Sequence, residues 1–326
     1  MKGKITNQSL PDVQLNKDIF YQREIGKVGV GGVEVYLPIQ MKDGSIQTPI
    51  AVISTYCKLD KNTAGINMSR GAEVIYNVLH SNSSGNGFHD LEYFCKELVE
   101  KHKSTDVYCK AKFKLILNGS TPMSGKSTCE PIECVIESIY RNNQYKTLLT
   151  VSHIGMSMCP CAKELASLWT NTTEEEHNII ESIENEDLKW KIKNAGYSSH
   201  SQKSKITATV ELNSLNENKL WIEDIVEMMN NSFSTSTTMM AKRCDESYTV
   251  QTAYLGGYFD DNKKFNKVEN SGPKFVEDEI RYMSKFLDEE LDKRINDYVI
   301  VVTNYESLHS KDETAVAILN AGRELI

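Results

Sequence analysis

"CKAKFKL", residues Cys109 to Leu115, alternates apolar and lysine side chains one by one. A side-chain period of two belongs to a strand with one buried face and one wet face, and no helix presents it. A second such stretch, "KITATVEL" at Lys205 to Leu212, sets Ile206, Ala208, Val210 and Leu212 against Lys205, Thr207, Thr209 and Glu211. Similar ingredients surround each. Before the first lie two β-rich runs, Val33 to Gln40 and Pro49 to Tyr56, parted by the turn-like "MKDGS", which predicts a hairpin. Helical patterns follow over about Met68 to Leu79 and Leu91 to His102, the second with Leu91, Phe94, Cys95, Leu98 and Val99 on one face. Ile132 to Tyr140 and Tyr145 to Ile154 then make a strand pair around "RNNQ".

The second strand is likewise followed by helices. Val276, Ile280, Met283, Leu287 and Leu291 keep amphipathic spacing from near Pro273, where proline suits a first turn. "YVIVVTNYESLH" is a strand that ends in charged and imidazole groups. The succession predicts an α+β chain of two tandem modules, each a largely antiparallel sheet with helices on one side. The expected division is an N-terminal segment 1–26, a first module 27–158 and a second 159–326. Thr170 to Asn194, rich in acidic residues, reads as a solvated helical excursion inserted at about 170–195.

With 326 residues and 40% hydrophobic content the chain can bury a core without staples. The opening "MKGKITNQSLPDVQ" has no apolar signal-peptide core, and no window approaches the ~20 apolar residues that span a bilayer. The expected location is the cytoplasm, with no membrane partner. Eight cysteines are too dilute for a disulfide scaffold, so in a reducing compartment they serve as packing, metal ligands or nucleophiles. The net charge of −8 argues against broad nucleic-acid binding but leaves room for a small anion held by a local basic cluster.

"SMCPCAKE", Ser157 to Glu164, sets Cys159 and Cys161 two apart, so in an extended segment both thiols face one way. That suits two metal ligands, or one ligand beside a reactive thiol. Further donors lie at strand ends: His200 in "SSHSQKS", and Glu306 and His309 in "YESLHS". Thiolate, imidazole and carboxylate together suit zinc and similar divalent ions, and so scattered a set disfavours a closed structural zinc. A catalytic ion keeps a position for water and lowers its pKa toward ~7. These residues point to metal-assisted hydrolysis of something anionic and do not name the substrate.

Several segments, taken in order, resemble the type IB GTP cyclohydrolases and their archaeal relatives: "LPDVQ", "KVGVGGVEVYLPIQ", "GINMSR", "CPCAKE", "SSHSQKS", "AKRCDESYTVQTAY", "PKFVEDEIR" and "NYESLH". They run from Leu10 to about Ala317 with the insertion set aside. The resemblance implies the tunnelling fold, in which subunits assemble into barrels, here a homotetramer with active sites at subunit interfaces. It implies hydrolysis of GTP at C8 of the guanine, formate release and formation of 7,8-dihydroneopterin triphosphate, the first step of folate synthesis. It also implies a divalent ion, whether zinc, manganese or iron. Cys159 would be its thiolate ligand, with His200 and either Glu306 or His309 in or beside the shell. Cys161 and His200 would be catalytic, with Cys161 facing substrate. Glu246 would read the guanine edge, since a carboxylate accepts paired hydrogen bonds from ring N–H and amino groups. Lys203, Lys242, Arg243, Arg70 and its neighbour Ser69 would meet the triphosphate, with Gln202 nearby.

The sequence departs from the family pattern at several places. Asn230 stands where the family has a glutamate taken as a metal ligand; it offers a carbonyl oxygen but no charge, and Glu227 lies three residues earlier. Lys203 replaces an arginine and loses its bidentate fork. Lys311 stands for a second histidine and Cys244 for a proline, and Cys161 and His200 are 39 positions apart instead of a short turn. These departures keep two alternatives in view: a divergent member acting on GTP or another purine nucleotide, and a binding module that holds a pterin or purine without hydrolysing it.

Overall fold

The computed structural model describes residues 18–81, 83–169, 173–194, 199–213, 215, 218–239, 241–309 and 313–321. Leu10 to Gln14, Thr170 and Lys311 lie outside them. The chain runs through β1 (Ile25–Tyr36), β2 (Ile39–Gln40), β3 (Ile46–Gln47), β4 (Ile50–Leu59), α1 (Met68–Ser81), α2 (Gly87–His102), β5 (Val107–Ser120), β6 (Ser127–Arg141) and β7 (Gln144–Met158). It continues with α3 (Pro160–Trp169), α4 (Glu174–Glu181), α5 (Glu186–Asn194), β8 (Ser201–Leu212), α6 (Ile222–Ser232), α7 (Arg243–Leu255), β9 (Gly257–Phe259), β10 (Phe265–Lys267), α8 (Val276–Asp288), β11 (Ile295–Tyr305) and β12 (Thr314–Asn320). Two compact units emerge. One comprises the described residues up to Leu115, Glu133–Thr150 and Glu211–Lys219; the other Ile116–Ile132 and the described parts of Val151–Val210 and Leu220–Ile326.

In the first unit β1 runs antiparallel to β4, which runs antiparallel to β5, and the strand order continues to β6 and β7. The alternation in β5 has its expected consequence: Cys109, Ala111, Phe113 and Leu115 are buried, while Lys112 and Lys114 are exposed. "MKDGS" turns the chain between β2 and β3, with Gly44 at φ +85°. Asn142 and Asn143 turn it between β6 and β7 with φ of 52° and 60°, a left-handed pair that suits a two-residue hairpin. Helix α2 starts at Gly87, four residues before the expected Leu91, because Asn86 caps it, accepting the Phe88 N–H at 3.2 Å. Gly87 fits there only as glycine: a Cβ would lie 2.8 Å from Leu37 and 2.9 Å from Ile39.

In the second unit the strand order is β5, β6, β7, β8, β11, β12, with β11 and β12 antiparallel. Helix α8 packs on α6 and on β11 and β12, burying Ile280, Met283 and Leu287. It begins at Val276, three residues after Pro273, and stops at Asp288, so Leu291 falls outside it and bridges to Ile295. Strand β12 escaped a pattern reading because its exposed positions carry Val316 and Ile318 and its half-buried ones Ala315 and Ala317. Much of the insertion forms two exposed helices. Thr173 and Glu176 close a capping box on α4, and Glu181 pairs with Lys189 and Lys193 of α5. Trp190 lies 4.6 Å from the Phe265 ring and 6.1 Å from that of Phe259, which fastens the excursion to the β9–β10 hairpin. Among the described residues, no helix is long and apolar enough to cross a membrane.

Lys274 is buried in this unit. Its ammonium donates to the carbonyls of Ser232 at 3.0 Å, Phe233 at 2.6 Å, Asn231 at 3.2 Å and Asn270. The first three belong to the C-terminal end of α6, whose last carbonyls have no partner within the helix. The lysine thus does from another segment what a C-cap does locally, and burial pushes its pKa down to about 8.

Candidate active site

All but two of the candidate residues lie in the second unit, and four of them meet at the ends of β7, β8 and β11. Cys159 follows β7 directly; its N–H donates to the His200 carbonyl at 3.4 Å, and Ser199 Oγ donates to the Cys159 carbonyl at 2.7 Å. His200 directly precedes β8, with Nδ1 3.5 Å from Ser307 Oγ. Beside Ser307, Glu306 accepts through Oε1 from Gln202 Nε2 at 3.0 Å. Strand parity separates Gln202, which is buried, from Lys203, which is exposed. Cys159 Sγ accepts the Ala162 N–H at 3.5 Å from the first turn of α3, and Cys161 stands exposed on that turn. His309 is exposed and pairs through Nδ1 with Glu313 at 3.0 Å. Thiol, imidazole and carboxylate at one set of strand ends fit the donor chemistry of a divalent ion. Among the described residues, no three His, Cys, Asp or Glu side chains already converge as a metal-holding group.

Lys242, Arg243 and Glu246 form a second group at the start of α7, all exposed. Asp245, wholly buried between them, sets their direction. Its carboxylate accepts from Met123 N–H, Ser124 N–H, Ser124 Oγ and Lys242 N–H at 2.6–2.9 Å, which caps α7 and ties it to the β5–β6 turn. Burial opposes ionisation of this carboxyl, but those donors outweigh it and hold its pKa well below the usual range. Lys163 reaches from α3 to the Tyr254 carbonyl at 2.9 Å near the end of α7. Ser69 and Arg70 belong to the first unit, where Arg70 Nη1 donates to the Lys101 carbonyl at 2.8 Å in the last turn of α2.

Asn230 on α6 turns to a different partner. Its Oδ1 lies 3.1 Å from His153 Nε2, which also lies 3.4 Å from Glu130 Oε2, and the imidazole is edge-on to Phe233. Glu227, one turn earlier, is exposed. Burial lowers the His153 pKa below its ordinary 6.5, with the Asn230 contact opposing. The unfolded chain therefore takes up a proton near pH 6.5 that the folded chain refuses, so His153 erodes stability as pH falls through that value. Urea unfolding at pH 7.5 and 5.5 should show wild type losing more stability than His153→Gln; an equal loss in both would contradict the assignment.

Comparison with known proteins shows the family of the chain. A family profile described as Type I GTP cyclohydrolase folE2 matches residues 10–315. The chain belongs to that family. GTP cyclohydrolase FolE2 of Azoarcus sp. (strain BH72) is 27% identical over 309 residues, 94% of each chain. The FolE2 protein of Nitrosomonas eutropha is 27% identical over 314 residues, 96% of this chain and 97% of that one. Among solved structures, the uricase of Arthrobacter globiformis superposes with a TM-score of 0.51 over 95% of this chain and 96% of that chain. Identity there is 7%, so what this FolE2 member shares with it is the tunnelling fold.

Proposed function

We propose that this chain hydrolyses GTP at C8 of the guanine ring, releasing formate and rebuilding the ring as 7,8-dihydroneopterin triphosphate. GTP and one net water balance formate and that product. The observation that carries the reading is that Cys159, His200 and Glu306 stand at three strand ends tied by the Cys159–His200 and His200–Ser307 contacts, in a chain that matches the FolE2 family over nearly its whole length. Cys159 and His200, with Glu306 or His309, would hold a divalent ion, whether zinc, manganese or iron. Such an ion supplies Lewis acidity, which makes water a competent nucleophile at neutral pH. Gln202 holds the Glu306 carboxylate in a single orientation. His200 and Cys161 would move protons to and from the opened ring. Glu246, aimed by the Asp245 cap, reads the guanine N–H and amino edge. Lys203, Lys242, Arg243, Ser69 and Arg70 bind the triphosphate. The working form is a cytoplasmic homotetramer with active sites at subunit interfaces.

One observation favours the second reading, a divergent member acting on GTP or another purine nucleotide. The Asn230 amide, standing where the family has a ligating glutamate, is taken up by His153. Incubating the metal-reconstituted protein with GTP separates the two readings. Formate together with neopterin fluorescence after oxidation supports cyclohydrolysis; formate without it supports the divergent reading. GTP binding with neither product would overturn cyclohydrolysis, and failure to turn over any purine nucleotide would overturn both.

A further inference from the structure

Two residues from each strand-end residue of the site, on the buried side of the same strand, stands a polar residue. Ser157 precedes Cys159, Ser204 follows Gln202 and Asn304 precedes Glu306. They continue the inward rows Ile206–Ala208 and Ile300–Val302, and on β7 the row through Val151 and His153, with exposures of 0%, 0% and 2%. Apolar residues would pack there without a desolvation cost. Each of the three polar groups is instead hydrogen-bonded, two of them to one another. Asn304 Nδ2 donates to Ser157 Oγ at 3.2 Å, and Ser157 Oγ donates to the Lys274 carbonyl at 3.3 Å. Ser204 Oγ donates to Glu279 Oε2 at 2.6 Å. Glu279, from α8, is wholly buried, and its other oxygen has no hydrogen-bond partner among the described residues. Burial pushes its carboxyl up to about 7, while Ser204, Ser157 and Lys274 pull the other way.

A buried network that is only partly satisfied is a poor route to stability, and a well-packed apolar core of the same shape would do at least as well. Its geometry has another use. Hydrogen bonds fix register and direction where apolar packing tolerates sliding: in this layer Asn304 and Ser157 join β11 to β7, Ser157 joins β7 to Lys274 just before α8, and Ser204 joins β8 to Glu279 on α8.

We propose that Glu279, which holds β8 to α8 through Ser204 while the Lys274 carbonyl just before α8 takes the Ser157–Asn304 pair of β7 and β11, is a positioning residue that keeps the three strand ends together. The effect on turnover rests on the function proposed above; the effect on the strand ends does not. The test compares full-length Glu279→Ala and Glu279→Gln by formate release from GTP and by amide hydrogen exchange over 157–162, 200–206 and 302–307. Glu279→Ala should lower kcat about 100-fold with KM for GTP within about 3-fold, because a small misplacement of catalytic groups costs rate more than binding. Exchange should speed about 10-fold at all three strand ends together, with the Leu91–Leu98 stretch of α2 unchanged. Glu279→Gln, whose carbonyl can still accept the Ser204 hydroxyl, should restore both readouts to within about 5-fold. Unchanged exchange in Glu279→Ala, or a glutamine variant as impaired as the alanine one, would overturn the proposal. Should Glu279→Ala fail to fold, Ser204→Ala decides: faster exchange reaching β7 and β11 supports the layer, and a change confined to β8 overturns it. A wild-type protein that never turns over GTP while its variants show the exchange pattern would keep the layer and overturn the cyclohydrolase reading.

Discussion

Cys159→Ala is expected to abolish both tight binding of a divalent ion and release of formate from GTP. Cys159 supplies the only thiol among the residues gathered at the three strand ends, and its main chain is fixed by His200 on one side and Ser199 on the other. Truncation therefore removes the donor without freeing the backbone. Even the loss of a group that only supports a metal ligand costs roughly 10–100-fold, so losing the ligand itself should exceed about 100-fold. Cys161→Ala separates the two thiols: it should keep its metal content after dialysis against a chelator and lose turnover. Formate release by metal-depleted Cys159→Ala would refute the mechanism.

Lys274→Met should produce the largest loss of stability, about 3 kcal/mol, because charged hydrogen bonds contribute more than neutral ones and their removal leaves buried carbonyls unpaired. The carbonyls at risk are those of Asn231, Ser232 and Phe233 at the end of α6, and methionine fills the space without donating. Urea unfolding reports this as a lower midpoint with an unchanged slope. A loss below about 1 kcal/mol would mean that the cost of burying the ammonium offsets its hydrogen bonds.

What could be read from the sequence depended on how far apart in the chain the cause of each feature lay. Period-two alternation in β5 and β8 and the apolar stripe of α2 are local, and their elements follow from them. Cys159, His200 and Glu306 were suggested by their places at strand ends, and β7, β8 and β11 bring them together. The layer beneath had a visible trace too, since Ser204 and Asn304 stand on the buried parity of apolar strands. Other roles depend on partners that spacing does not reveal. Asn230 meets His153 across 77 positions, Asp245 meets Ser124 across 121, and Arg70 reaches the last turn of α2 from 31 residues away. Edge strand β12 inverted the usual pattern, with its larger apolar side chains outward.

The bonds between Cys159 and His200, and between Ser199 and the Cys159 carbonyl, fasten together the two ends of the excursion that leaves after Cys159. For protein engineering this makes the excursion a grafting point. A foreign domain exchanged for the Glu174–Asn194 stretch would begin and end at a base already closed, and each doubling of loop length would add only about 0.6 kcal/mol. A ligand-responsive domain placed there, with α3 and Cys161 left intact, would turn the enzyme into a biosensor whose output is formate.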